Sequence, residues 1–194
     1  MSLTDEFTGD VNLGVGELYG IRKWKLTEDG ILRSYSYDFQ WNGTTNTAEC
    51  LKFHKALQEV PTMKGMEHPV PMKECSCGFW AYYDPNGQYM STVGTDTNAL
   101  FAFEGIVKSW GKVIAGPRGF RAQYAKIVAI CVQFPVATNV YSLTSEKKQL
   151  RASVLRDLIG INHYPNLDIV AKRTELLDKY PLSKPLESRI NEPN

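Results

Sequence analysis

The chain has 194 residues, 43% of them hydrophobic and 22% charged, which is enough to bury a core and too balanced for a disordered or fibrous protein. Lys and Arg total 22 against 21 for Asp and Glu, so no global charge draws the protein to nucleic acid or to an anionic membrane. No basic run followed by an apolar one opens the sequence, and no apolar stretch reaches the length of a membrane span, so a cytoplasmic protein without a membrane role is expected.

Residues 1–15 are polar, acidic and Gly-containing and read as a disordered N-terminus. A β-rich domain is predicted over 16–135. Its first two strands are the aromatic-rich runs 17–26 and 31–41, separated by the turn Thr27-Glu-Asp-Gly30. A polar turn and a short helix over 47–57 follow, then a loop carrying Pro61, Pro69 and Pro71. A loop of that length needs something to pin it. The run 79–83 resumes as a strand and stops at Asp84-Pro-Asn-Gly87. Runs 105–114 and 120–134 are the longest strands, joined through Ala115-Gly-Pro-Arg-Gly119 into a second hairpin.

After Pro135 the apolar period changes from two to about three and a half, and 136–180 is predicted to be helical. Leu150, Val154, Leu155 and Leu158 make one stripe, ended by Gly160. Leu167, Val170, Ala171, Thr174 and Leu177 make another, with Asn166 as N-cap, Asp168 in the first turn and Pro181 as the stop. Residues 181–194 read as a tail. The expected class is α+β: a small antiparallel β-sheet or half-open barrel, a zinc-stapled loop and a C-terminal helical pair.

The chemistry of the chain gathers in that loop. Cys50, His68, Cys75 and Cys77 bring three thiols and an imidazole to a segment with little else to order it. Thiolates and imidazole are the usual ligands of structural zinc, and Cys75-Ser-Cys77 supplies two neighbouring corners of a tetrahedron. A mutual bridge across one residue would be strained, so reduced thiols are expected. His54, four residues after Cys50 on the predicted helix, is a rival fourth ligand. Gly78 would let the backbone turn from the last thiol into the next strand. The plainer alternative is a set of unpaired thiols and a solvated histidine. Cys131, inside an apolar run, reads as a small buried hydrophobe.

The run His68-Pro-Val-Pro71 with Cys75-Ser-Cys-Gly-Phe-Trp-Ala81, then Gly105-Ile-Val-Lys-Ser-Trp-Gly111 and Gly119-Phe-Arg-Ala-Gln-Tyr-Ala125, resembles a group of uncharacterised small proteins of actinobacteria and their phages. The shared pattern is Cys-x-Cys-Gly with an upstream His and Cys, a Gly-x-x-x-x-Trp-Gly strand and a Gly-aromatic-Arg-Ala segment. It covers residues 20–130. The group usually has a small or aliphatic pair after the cysteine signature, where this chain has Phe79 and Trp80. No activity comes with the resemblance.

Two surfaces are candidates for partners. Phe79, Trp80 and Tyr82 belong to an aromatic cluster that would suit a protein interface if exposed. Lys108, Trp110 and Lys112, placed on one face by strand parity, with Arg118 and Arg121 nearby, would suit a nucleic-acid backbone and a stacked base. The same residues would also make an ordinary solvated sheet face. No catalytic signature accompanies the thiols. The expectation is therefore a non-enzymatic, zinc-stabilised protein that binds a macromolecular partner, such as a phage-encoded accessory or host-interaction protein. A nucleic-acid-binding module is the second reading and a metal-dependent hydrolase the third.

Overall fold

The computed structural model describes residues 16–27, 30–34, 39–50, 68–86, 101–131 and 164–185. In chain order these form β1 (Leu18–Leu26), β2 (Leu32–Ser34), β3 (Asn46–Thr47), β4 (Phe79–Tyr82), β5 (Phe101–Ala115), β6 (Gly119–Cys131), β7 (Asp168–Val170) and α1 (Arg173–Lys179). Every strand pair is antiparallel except β6 with β7.

The hairpin of β5 and β6 is the frame. Its turn closes with the Gly116 N–H donating to the Gly119 carbonyl at 2.8 Å. β1 lies along the other edge of β5, from Leu18 opposite Ser109 to Leu26 opposite Phe101. The free edge of β6 is shared by three short strands: β4 at residues 119–122, β3 at 124–125 and β7 at 129–131. β4 meets β1 again through Ile21 and Tyr82, so the pairings β1, β5, β6, β4 return on themselves as a small closed ring.

Alternation along the strands gives the sheet two buried faces. Leu18, Trp24 and Leu26 of β1 face the large core with Trp41, Phe79, Phe103, Val107, Phe120 and Ile130. Ile21 and Ile106 point the other way, into a smaller cluster with Ala129, Cys131, Val170 and Leu176. β7 and α1 therefore cover the outside of the ring. At the gap where the edge of β1 passes from β2 to β4, the Arg22 guanidinium donates to the Trp80 carbonyl at 2.5 Å and to the Ser34 hydroxyl at 2.9 Å. It also lies 5.0 Å from the Trp41 ring centroid. Burial holds that guanidinium down to about 10.

Three expectations change. The stripe beginning at Leu167 is not one helix: residues 168–170 extend β6 as a parallel strand, Asp168 sits in β7, and α1 starts after Lys172 rather than Asn166. Pairing with an open strand edge outweighs a local helical pattern in so short a segment. Among the described residues there is one helix, not a pair; the predicted helix over 145–160 lies outside them. At 47–50, within the predicted helix 47–57, the chain is β3 and its extension, with the Ala48 N–H donating to the Gln123 carbonyl at 2.8 Å. Residues 51–57 lie outside the described set, as does the N-terminus 1–15. The start of the tail is tied to β1 at Ser183, which exchanges hydrogen bonds with Tyr19 at 2.9 and 3.0 Å.

Glu104, 1% exposed, clamps the C-terminal cover to the ring. Its carboxylate accepts from Arg173 at 2.5 and 3.3 Å, and the same guanidinium reaches the Asn86 side chain at 3.1 Å and the Pro85 carbonyl. Burial raises the Glu104 carboxyl above its ordinary value although Arg173 and Lys23 oppose the shift. No helix among the described residues is long and apolar enough to cross a membrane.

Candidate metal centre

β6 acts as the ruler that brings the predicted ligands together. β3 and β4 pair with neighbouring stretches of its edge, so Cys50, just beyond β3, and Cys77, just before β4, arrive on the same side of the ring. The turn before β3 is fixed by Asn46, 2% exposed, whose amide reaches the carbonyls of Asn42, Thr44 and Ala125 at 3.2, 3.3 and 3.4 Å. The Cys75 N–H donates to the Met72 carbonyl at 3.1 Å, folding the loop into a tight knuckle. Gly78 leaves that knuckle at φ +109°, where a side chain would be strained and would meet Pro71 at 3.0 Å.

The outcome is a four-ligand cluster. Ligand atoms of Cys50, His68, Cys75 and Cys77 all lie within 4.8 Å of one another, close enough to hold a metal ion. The sulfurs of Cys50 and Cys75 are 3.6 Å apart. A zinc tetrahedron with Zn–S bonds of about 2.3 Å has edges of about 3.8 Å, so this spacing suits such an ion. The His68 Nδ1 lies 3.2 Å from the Pro69 carbonyl. A proton on Nδ1 donated there leaves Nε2 with its lone pair for a metal, the arrangement in which an outer partner fixes the tautomer of a ligating histidine. None of the four cysteines forms a disulfide and all are buried, the three of the cluster at 8–9% exposed.

The thiols respond unequally to their surroundings. Burial pushes Cys75 up, but hydrogen bonds from the Cys77 backbone and from the Cys50, Cys77 and His68 side chains outweigh it and its net shift is downward. Cys77 is pushed up to about 12, chiefly by burial and further by Cys75 and Cys50, against a hydrogen bond from the Met72 backbone. Three thiolates this close repel one another. A divalent cation among them would let all three ionise together.

Two residues read as surface contacts from the sequence help build the knuckle. Arg121 is 2% exposed and donates to the carbonyls of Cys75 and, at 3.0 Å, Cys77. Trp80 is half-buried, with the Arg121 guanidinium 5.3 Å from its ring centroid and its indole N–H donating to the Ser76 carbonyl at 2.8 Å. Thus all three carbonyls from Cys75 to Cys77 are held by the facing pair Trp80 and Arg121, which lie opposite each other in the β4–β6 register. That register is the signal the sequence lacked.

The remaining surface residues divide. Phe79, expected at an interface, is 5% exposed and packs on Phe39 and Trp41 in the large core. Tyr82 is half-buried against the smaller cluster, so the three aromatics do not form one bare patch. On the basic face, Arg118 is exposed, while Lys108 is paired with Glu17 at 2.6 Å and lies 5.9 Å from the Trp110 ring centroid. The register shifts between Trp110 and Val113, with Gly111 at φ +80°, so strand parity does not run on to Lys112 as expected. Tyr124, not singled out from sequence, lies opposite Trp110 with ring centroids 6.1 Å apart. Cys131 is fully buried in the smaller cluster, away from the ligands. His54 lies outside the described residues. Comparison with family models, with curated proteins and with solved structures finds no match to this chain.

Proposed function

We propose that the chain is a non-catalytic binding module in which Cys50, His68, Cys75 and Cys77 hold a structural zinc ion. The observation that carries this reading is the convergence of the four ligand atoms within 4.8 Å. Soft thiolates with one imidazole in a compact cluster favour zinc over the harder, oxygen-seeking cations. Four protein ligands leave such an ion no open position for water, which counts against a hydrolase. Elemental analysis of protein purified under reducing conditions tests the reading: one equivalent of zinc is expected, and a folded, metal-free protein that ignores chelators would refute it.

The partner is proposed to be a macromolecule met in the cytoplasm. The resemblance to actinobacterial and actinophage proteins favours an accessory or host-interaction role. A second reading, single-stranded nucleic acid on the outer face of β5 and β6, is favoured by the tilted pair Trp110 and Tyr124 beside the facing pair Lys108 and Lys126. It requires oligonucleotide binding that weakens steeply with salt and falls when Lys108 and Lys126 become Ala. No binding at low salt would remove it.

A further inference from the structure

The three peptide carbonyls of the Cys75–Cys77 knuckle all turn toward two side chains of the ring. Turning a carbonyl out leaves the amide on the other side of the same peptide facing in. The peptide between Ser76 and Cys77 illustrates this: its carbonyl accepts from the Trp80 indole at 2.8 Å, and its N–H is hydrogen-bonded to the Cys75 thiol. A donor on the carbonyl polarises the peptide and strengthens what its N–H can donate. The peptides on either side end on the Arg121 guanidinium, which is buried against the Trp80 ring. Charge adds a second argument. Three thiolates, a neutral imidazole and a divalent ion sum to −1, a charge that is costly to bury near apolar surroundings unless a cation lies beside it.

We propose that Arg121 and Trp80 are positioning residues of the metal centre: Arg121 balances the net negative charge of a three-thiolate site and orients its carbonyls, and Trp80 drives the Cys77 amide onto the Cys75 sulfur. The inference rests on the zinc reading and sharpens it. A cross-strand pair in the ring, one member of it 44 residues from Cys77, sets how tightly the site holds a divalent ion. Outer partners of this kind typically change metal affinity by about 10- to 100-fold.

The test uses the full chain, freed of metal under reducing conditions and titrated with Co²⁺, then with Zn²⁺ against a chromophoric chelator. The variants are Arg121→Lys, Arg121→Met and Trp80→Phe. Wild type is expected to give one equivalent of tetrahedral Co²⁺ absorption. Arg121→Met should bind Zn²⁺ about 100-fold more weakly, and Arg121→Lys, which keeps the charge, should recover part of that loss. Trp80→Phe keeps the ring but loses the N–H, and should weaken binding by about 10-fold and shift the sulfur-to-cobalt charge-transfer band. Should Arg121→Met fail to fold, the Lys and Phe variants decide the matter. Wild-type affinity and an unshifted band in both would overturn the inference while leaving the zinc site standing. Equal losses for Lys and Met, with an unshifted band in Trp80→Phe, would reduce the pair to packing and overturn it too. Absence of any Co²⁺ spectrum in wild type would instead overturn the zinc reading beneath it.

Discussion

Along the β5–β6 hairpin, Phe103, Val107, Phe120 and Ile130 are fully buried, and each is held by apolar neighbours on several strands. Around the loop 68–78 the corresponding cluster is Cys75 and Cys77 with Cys50 from beyond β3, and Val70 and Met72 at its margin. The two regions share a strand edge but not a source of order. Fixing the backbone of the loop costs about 1–2 kcal/mol per residue, so on the order of 10 kcal/mol in all. Burying three small thiols returns only a few kcal/mol at about 25 cal/mol per Å². A structural zinc ion at the cluster would contribute on the order of 10 kcal/mol at neutral pH, enough to close the gap. On the zinc reading proposed above, the hairpin is a product of burial and the loop a product of coordination.

The largest expected effect breaks the loop and spares the hairpin. Cys77→Ser removes one ligand and should forfeit most of the metal's contribution, several kcal/mol. Cys131→Ala, at a fully buried thiol with no ligand role, should cost about 1 kcal/mol. Urea denaturation of both variants, with and without chelator, measures the contrast, and equal losses would contradict it. Phe120→Ala should follow, at about 3–5 kcal/mol, because its ring is wholly buried beside Tyr83 and Val113 in the ring's core. Its cost should be the same whether or not chelator is present, since it acts on the frame.

How much of this contrast the sequence carried depends on how local each signal was. The turn at 115–119 and the Cys50, His68, Cys75 and Cys77 cluster were legible, because turn chemistry and side-chain type are properties of the residues themselves. The burial of Phe79 and the use of Trp80 and Arg121 in the knuckle were not, because they depend on β4 lying beside β6. The strand at 168–170 was hidden for the same reason: its partner is an edge of β6 that no neighbouring residue announces. The candidate site was therefore more readable than the scaffold that supports it.

A smaller effect concerns the clamp on the other side of the ring. Arg173→Met would leave Glu104 buried without its partner, at a cost of about 2 kcal/mol, below the range for fully buried pairs because Arg173 is 28% exposed. The sign of its pH dependence follows from burial. A carboxyl raised in the folded protein binds its proton more readily than in the unfolded chain, so its contribution is fullest in acid and is lost as pH rises from the ordinary 4.5 through the raised value. The variant should lose more stability than wild type over that rise, as paired denaturation curves would show, and parallel curves would contradict the clamp. The smallest effect is at the surface: Lys108→Ala breaks an exposed pair with Glu17 and should change stability by less than about 1 kcal/mol. A larger loss would mean that the outer face of the hairpin contributes more to the fold than its exposure suggests.

The central claim is that coordination orders the loop while burial orders the hairpin, and native-state hydrogen exchange with and without a zinc chelator tests it most directly. Chelation should release protection at the Cys75 amide, bonded to Met72, and around Gly78, while the amides of β5 and β6 keep most of theirs. Unchanged exchange at 68–78 in chelator, with less than about a tenth of an equivalent of metal in the untreated protein, would contradict the account.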